Sequence, residues 1–329
     1  MENEKKKGLL GFFQKEKPDA VAEDTTPTFG YFFKLLWRKI GKLISLNLIM
    51  LLQYIPLIAA VLIYFFGDTT PTSESALFAP LLGVQMHGAS PTANLLLGLI
   101  GKQLNVPYLT AGRMIAIAVL VLFTVITWGW QNVGATYNLR SLVRGDSCFL
   151  FSDYFYAIRR NLRQGLLFGI LDFLIIAVLL FDIYYFSTLA GTLLFGVMYI
   201  FLIALFIIYT MMRFYIYHMM ITFDLSIRKL LKNALIFSIL GIKRNIVGLL
   251  GIVGVLALNV VIIVFSLGFN FAVPLILPFF YFLALAGFIA AYAAWPNIQR
   301  YMIDPYVSQN AEESESDDTE DAITPPTAD

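Results

Sequence analysis

The stretch "GLLFGILDFLIIAVLLFDIYYF" (residues 165–186) contains two acids, no base and an otherwise apolar or aromatic run. As a helix it is about 33 Å long, enough to cross a hydrocarbon core of ~30 Å. Five other segments of the chain have the same character. They are roughly 43–66, 114–136, 191–212, 245–267 and 273–295. The fold class expected is all-α: a polytopic membrane protein of six transmembrane helices, with interfacial amphipathic helices.

Composition agrees. Of 329 residues, 59% are hydrophobic and only 14% charged, against ~25% charged in soluble domains. Mean hydropathy is +0.75. A soluble chain of this length has too little interior for that much apolar surface. Cys148 is the only cysteine, and His87 and His218 are the only histidines. That excludes an internal disulfide, a Cys-based zinc site and a multi-histidine metal centre. No cleavable leader is expected, because "GLLGFF" near the start is too short for a signal-peptide core.

Lysine and arginine set the expected orientation. With six spans, 21 of the 23 basic residues fall in segments on one side of the bilayer. Only Lys102 and Arg113 fall on the other side. The basic side is read as the cytoplasm, with both termini there. Residues 67–113 then form an external loop. Within it "ALFAPLLGVQM" and "ANLLLGLIGKQL" read as short interfacial or re-entrant helices around the turn "HGASP", where His87 is a solvated residue. The expected domain layout is a disordered cytoplasmic segment 1–28, a membrane domain 29–300 and an acidic disordered tail 301–329. Its last 19 residues, 311–329, hold eight acids and no base.

Just before the opening stretch lies "SDYFYAIRRNLRQG" (152–165). Phe151, Phe155, Ile158 and Leu162 recur at helical spacing, opposite Asp153, Arg160, Arg163 and Gln164. This is expected to be an interfacial helix over 152–164, capped by Ser152. Residues 225–236 behave alike, with Ile227, Leu230, Leu231 and Ala234 against Arg228, Lys229 and Lys232. Such faces favour anionic inner-leaflet lipids, by ~1 kcal/mol per basic residue. Arg159, Arg160, Arg163, Arg228, Lys229 and Lys232 are therefore the candidate cytoplasmic docking or lipid site.

"AIRRNLRQGLLFGIL" (157–171) also echoes "SIRKLLKNALIFSIL" (226–240) at a constant offset. "IRRN" (158–161) separately echoes "IKRN" (242–245). An ancestral hairpin repeat accounts for this, and so does convergence on basic headgroup anchors.

The stretch "GATYNLRSLVRGDSCFLFSDYFYAIRRNLRQGLL" (134–167) resembles the YesL-like family of bacterial membrane proteins. Ala135, Tyr137, Arg140, Arg144, Asp153, Phe155, Arg160, Asn161, Arg163 and Gln164 carry the likeness. The resemblance implies a plasma-membrane protein, associated in Gram-positive bacteria with carbohydrate-uptake loci. The family has no settled activity, so no catalytic residue is carried over.

Asp172 is the sharpest single position, seven residues in from Gly165 and so about 10 Å deep. A carboxylate there needs a partner or a wet path. Arg213 is within reach from the fourth span. Asp172, Arg213 and Asn259 form the candidate intramembrane polar site. It is read as a structural Asp–Arg or Asp–Tyr lock, with proton or solute coupling as the alternative. Asn47, Gln53 and Asn259 are expected to join helices. Gly248, Gly251 and Gly254 are expected to form a packing face, and Pro56, Pro274 and Pro278 to kink their spans. Trp128 and Trp130 are read as interfacial belts.

No catalytic triad, Walker loop or HExxH motif occurs, and Glu74 is the only glutamate outside the tails. The chain is expected to be no enzyme and to use no cofactor, metal or nucleic acid. The function expected is a non-enzymatic accessory or scaffold, bound to the lipid bilayer and to a membrane-protein partner such as a transporter component. The alternative is a secondary transporter or channel for a small solute.

Overall fold

The structure is a computed structural model describing residues 27–66, 69–70, 106–107, 109–189, 191–269 and 273–308. Most of the loop expected to be external, with its two expected short helices, Glu74 and His87, lies outside the described residues. So do residues 1–26 and 309–329.

Long helices dominate the described chain: α1 (Phe29–Leu52), α2 (Ile55–Phe65), α3 (Ala111–Arg144), α4 (Leu150–Arg160), α5 (Leu162–Thr188), α6 (Leu193–Thr222), α7 (Ile227–Leu240), α8 (Ile242–Gly268) and α9 (Pro278–Ile298). A two-residue antiparallel ladder joins β1 (Thr69–Thr70) to β2 (Val106–Pro107). Among the described residues five helices are long and apolar enough to cross a membrane, and the bent pair of α1 and α2 passes the same test when taken together. Apart from that ladder the regular structure of the described chain is helical, and its long apolar helices make it a multi-pass membrane protein.

Residues up to Trp37 form one compact unit and Arg38 onward another. The described part of the first is the opening of α1. There Thr28 Oγ1 accepts a hydrogen bond from the Tyr31 N–H at 3.2 Å, a helix cap. Phe33 packs edge-on to Phe29 and Phe32.

In the second unit the first span is not one helix. A 50° bend separates α1 from α2. Pro56, in the first turn of α2, has no N–H to offer the preceding turn. Polar side chains serve the break. Gln131 of α3 donates to the Met50 carbonyl at 3.2 Å, and Gln53 donates to Thr127 Oγ1 and the Thr124 carbonyl of α3. The other two prolines sit at a beginning rather than a kink. Pro274 lies in a 3₁₀ turn (Val273–Ile276) and Pro278 opens α9.

The proline that does interrupt a helix is Pro296, inside α9. It removes the N–H that would meet the Tyr292 carbonyl. The Arg244 guanidinium donates to that carbonyl at 3.3 Å. A π-helical segment, Gln299–Ile303, follows, and the helix continues to Ser308. The helical chain therefore runs past residue 300, where the disordered tail was expected to begin.

α3 is central, packing against α2, α4, α5, α6 and α9. Its buried residues lie in its second half, from Thr124 to Val143. Those of α6 run from Tyr209 to Ile221, and those of α9 from Ala284 to Ile298. The core thus sits at the end of the bundle where Arg140, Arg144, Arg244 and Arg300 are found. The most apolar halves of the spans carry exposed side chains such as Val119, Leu122, Val178 and Leu180. That is the expected pattern in lipid, where apolar side chains gain little by leaving the hydrocarbon and small or polar residues direct packing.

Two close helix crossings follow from glycine. Gly165 and Gly169 of α5 are four apart and face Gly129 of α3. A Cβ at Gly129 would overlap the Gly165 carbonyl oxygen, so the two backbones touch. On α8, Gly248 and Gly251 meet Ala293 and Ile289 of α9, while Gly254 faces open space. The expected packing face therefore ends at Gly251.

The amphipathic helix before the third span is α4, and it is shorter than 152–164. It starts at Leu150, where Asp153 accepts from the Phe149 N–H at 2.8 Å, and Ser152 is not its cap. It ends at Arg160, because Asn161 turns the chain and donates to the Ala157 carbonyl at 2.9 Å. Leu162, Arg163 and Gln164 belong to α5. Phe151, Phe155 and Leu162 are exposed, as suits a face laid on lipid. The opposite residues, Tyr154 and Ala157, pack on α3, where Gly134 leaves room for the Tyr154 ring. α7 buries Leu230 and Ala234 on α6. The longer echo does not correspond in structure: 157–171 is broken at Asn161, whereas 227–240 is one helix.

Candidate functional site

Asp172 of α5 is completely buried. Four side chains from two other helices converge on its carboxylate. Tyr209 Oη donates to Oδ1 at 2.7 Å. Tyr217 Oη and Trp128 Nε1 donate to Oδ2 at 2.7 and 2.9 Å. Arg213 Nε lies 2.9 Å from Oδ1 and 3.2 Å from Oδ2, bridging both oxygens.

The placement is a consequence of local geometry. The glycine crossing brings Trp128, next to Gly129, across to Asp172, three residues beyond Gly169. Tyr209, Arg213 and Tyr217 are spaced by four on α6, so they share one helix face. Phe168 packs edge-on to Tyr217. Tyr54 and Phe173 pack edge-on to Trp128. The Arg213 guanidinium also lies 5.9 Å from the Trp128 ring.

A carboxylate has about four lone-pair sites, and here a cation and three neutral donors fill them. Nothing is left to accept a proton or a solute without breaking a bond. A buried charge held this way suits a lock, since removing one partner strands the other.

The structure thus joins Asp172 to Arg213, as expected from the sequence. It does not bring Asn259 to them. Asn259 of α8 accepts a hydrogen bond from the Tyr281 hydroxyl of α9, and so joins helices. Asn47 does likewise, donating to the Phe279 carbonyl at 2.6 Å and accepting from the Ala284 N–H at 2.8 Å. The indoles are not simply belt residues. Trp128 belongs to the site, and Trp130 donates to the Leu162 carbonyl at 2.9 Å. Trp128, Tyr209 and Tyr217 are the members sequence reasoning missed. The four-residue spacing of Tyr209, Arg213 and Tyr217 is the signal that could have found the two tyrosines.

A second buried cluster ties the α7–α8 turn to α6 and α9. Tyr215 Oη donates to Asn245 Oδ1 at 2.6 Å and accepts from Asn297 Nδ2 at 2.8 Å. Asn245 in turn donates to the Phe237 and Ser238 carbonyls. A Cβ at Gly241 would collide with Asn297 and the Tyr215 hydroxyl, so glycine is required there.

The basic candidates occupy the surface. Arg159 and Arg160 end α4, Arg163 opens α5, and Arg228, Lys229 and Lys232 lie on α7; all six are exposed. Among the described residues none of the six is ion-paired. Other residues of the 134–167 stretch are structural. Arg140 donates to Thr222 Oγ1 at 2.8 Å and stacks near Tyr137 and Trp295. Gln164 donates to the Leu225 carbonyl at 2.6 Å, tethering the α6–α7 connection. The Arg144–Gly145–Asp146 tripeptide is a helix end: Gly145 has φ +81°, and Arg144 pairs with Asp146 at 3.1 Å.

Among the described residues no group of three or more His, Cys, Asp or Glu could hold a metal ion. The chain matches no protein-family model, no curated protein and no solved structure.

Proposed function

We propose that this multi-pass protein is a non-enzymatic accessory or scaffold of a transport system, of the carbohydrate-uptake kind, or of an envelope system. In this reading it resides in the cell membrane with both termini in the cytoplasm. The likeness of residues 134–167 to the YesL-like family supports the setting. The lysine and arginine asymmetry supports the orientation.

The observation that carries the reading is the fully buried, saturated Asp172. A coupling carboxylate must exchange its proton or ion with a path. This one is fully buried and bonded to Trp128, Tyr209, Arg213 and Tyr217. The exposed cations of α4, α5 and α7 then form the surface for lipid and a membrane-protein partner.

Affinity capture of the full chain from native membranes, after mild solubilisation, tests this. The expected result is reproducible recovery of a permease or ATPase component, lost when Arg160 and Arg163 are both changed to Glu. Solute flux in liposomes containing the chain alone, with no partner recovered, would overturn it.

A further inference from the structure

A groove of about 510 Å³ runs along the outside of the bundle between α5 and α6. Leu174 and Val178 of α5, Leu205, Ile208 and the Tyr209 ring of α6, and Leu235 of α7 line it. The lining is aliphatic and aromatic. The one hydroxyl nearby, that of Tyr209, is turned inward to Asp172.

The helices that form the groove also carry cations on matching faces. On α5, Arg163 lies eleven residues before Leu174, about three turns, and so on the same side of the helix. Leu167, also exposed, lies on that side between them. The axial separation of Arg163 and Leu174 is about 16 Å. On α7, Arg228 and Lys232 precede Leu235 by seven and three residues and share its exposed stripe. All three cations are exposed and unpaired among the described residues.

An apolar slot whose basic residues lie toward one end has the polarity of an anionic phospholipid. We infer that the α5–α6 groove seats an acyl chain of one anionic phospholipid, whose phosphate meets Arg163 and Lys232. This rests on the orientation proposed above, which puts those cations at the inner leaflet. Arg228 adds to the field that the headgroup meets. The seated chain covers the outer side of Tyr209, on the opposite face of the helix wall from the Asp172 lock.

The test counts phospholipid retained by the purified full chain. Native mass spectrometry is run from mixed micelles containing phosphatidylglycerol and phosphatidylcholine in equal amounts. One phosphatidylglycerol per chain is expected, preferred by roughly thirtyfold on the basis of two headgroup cations. Arg163→Gln with Lys232→Gln should bring that preference close to one while a lipid is still retained. Val178→Trp and, separately, Leu205→Trp should fill the slot and remove the retained lipid of either type. Both positions face lipid, so the bundle tolerates them, and a melting curve for each variant verifies this. Equal retention of the two lipids by the unmodified chain would overturn the inference. So would retention unchanged in both tryptophan variants. Partner capture is a separate readout, so loss of the scaffold reading and loss of the lipid site are distinguishable.

Discussion

Arg213 Nε bridges the two carboxylate oxygens of Asp172, at 2.9 and 3.2 Å, across the α5–α6 pair. Asp172 is fully buried and Arg213 partly so, and the carboxylate depends on that cation. A carboxylate this deep is tolerated because the cation and three neutral donors replace its hydration.

Changing Arg213 to Met should therefore destabilise the folded protein by about 3–5 kcal/mol, since the fully buried Asp172 loses its counter-charge. The double variant Asp172→Leu with Arg213→Met should regain most of that loss. Unfolding curves in detergent for these variants and for Asp172→Leu alone, fitted as a double-mutant cycle, measure the coupling. Near-additive losses would count against the lock.

Gly129→Ala should cost about 1–3 kcal/mol, because the new methyl meets the α5 backbone rather than a flexible side chain. It should also disturb the Trp128–Asp172 hydrogen bond, readable as a shift in Trp emission. Gly254→Ala is the control. Its Cβ meets nothing, and alanine favours helix by up to ~1 kcal/mol. That variant should be neutral or slightly more stable.

Arg244 donates to the Tyr292 carbonyl, the one from which Pro296 withholds the usual N–H four residues on. Arg244→Met should cost about 1 kcal/mol in the natural chain and less once Pro296 is replaced by Ala. Equal costs in the two backgrounds would show that the proline does not create the need.

Burial, with the Asp153 carboxylate adding to it, pushes the Cys148 thiol up to about 11. Cys148 lies in the α3–α4 turn, and its Sγ is 3.3 Å from Asn138 Oδ1. The thiol is neutral below that value, and only the thiolate alkylates. Iodoacetamide labelling of the folded chain should then rise about tenfold per pH unit from pH 7 to 10 without levelling. Labelling of the denatured chain should level near the ordinary thiol value, about pH 8.5. Asp153→Asn should move the folded profile to lower pH.

The spans were legible because a long apolar run has few alternatives in water or lipid. Their ends were less so. The third span extends back to Leu162 and the fourth on to Thr222, since polar residues such as Arg163 and His218 are buried or snorkel at helix ends and still continue the helix. The pairing of Asp172 with Arg213 was also legible, because a deep acid needs a cation within reach. Trp128, Tyr209 and Tyr217 were harder to place. Aromatic residues with polar tips look the same in sequence whether they face headgroups or a buried carboxylate. Only their facing partner distinguishes the two.

By itself the sequence determined that this is a helical membrane protein, where most of its spans lie, and which ends are basic. Those properties follow from the cost of bringing backbone and charge into hydrocarbon, which each segment meets alone. The tertiary structure decided which faces touch. Lipid gives apolar side chains no direction, so contact is set by the meeting of Gly129 with Gly165 and Gly169, and by which donors reach Asp172. Both are relations between helices distant in sequence, and no single segment carries them.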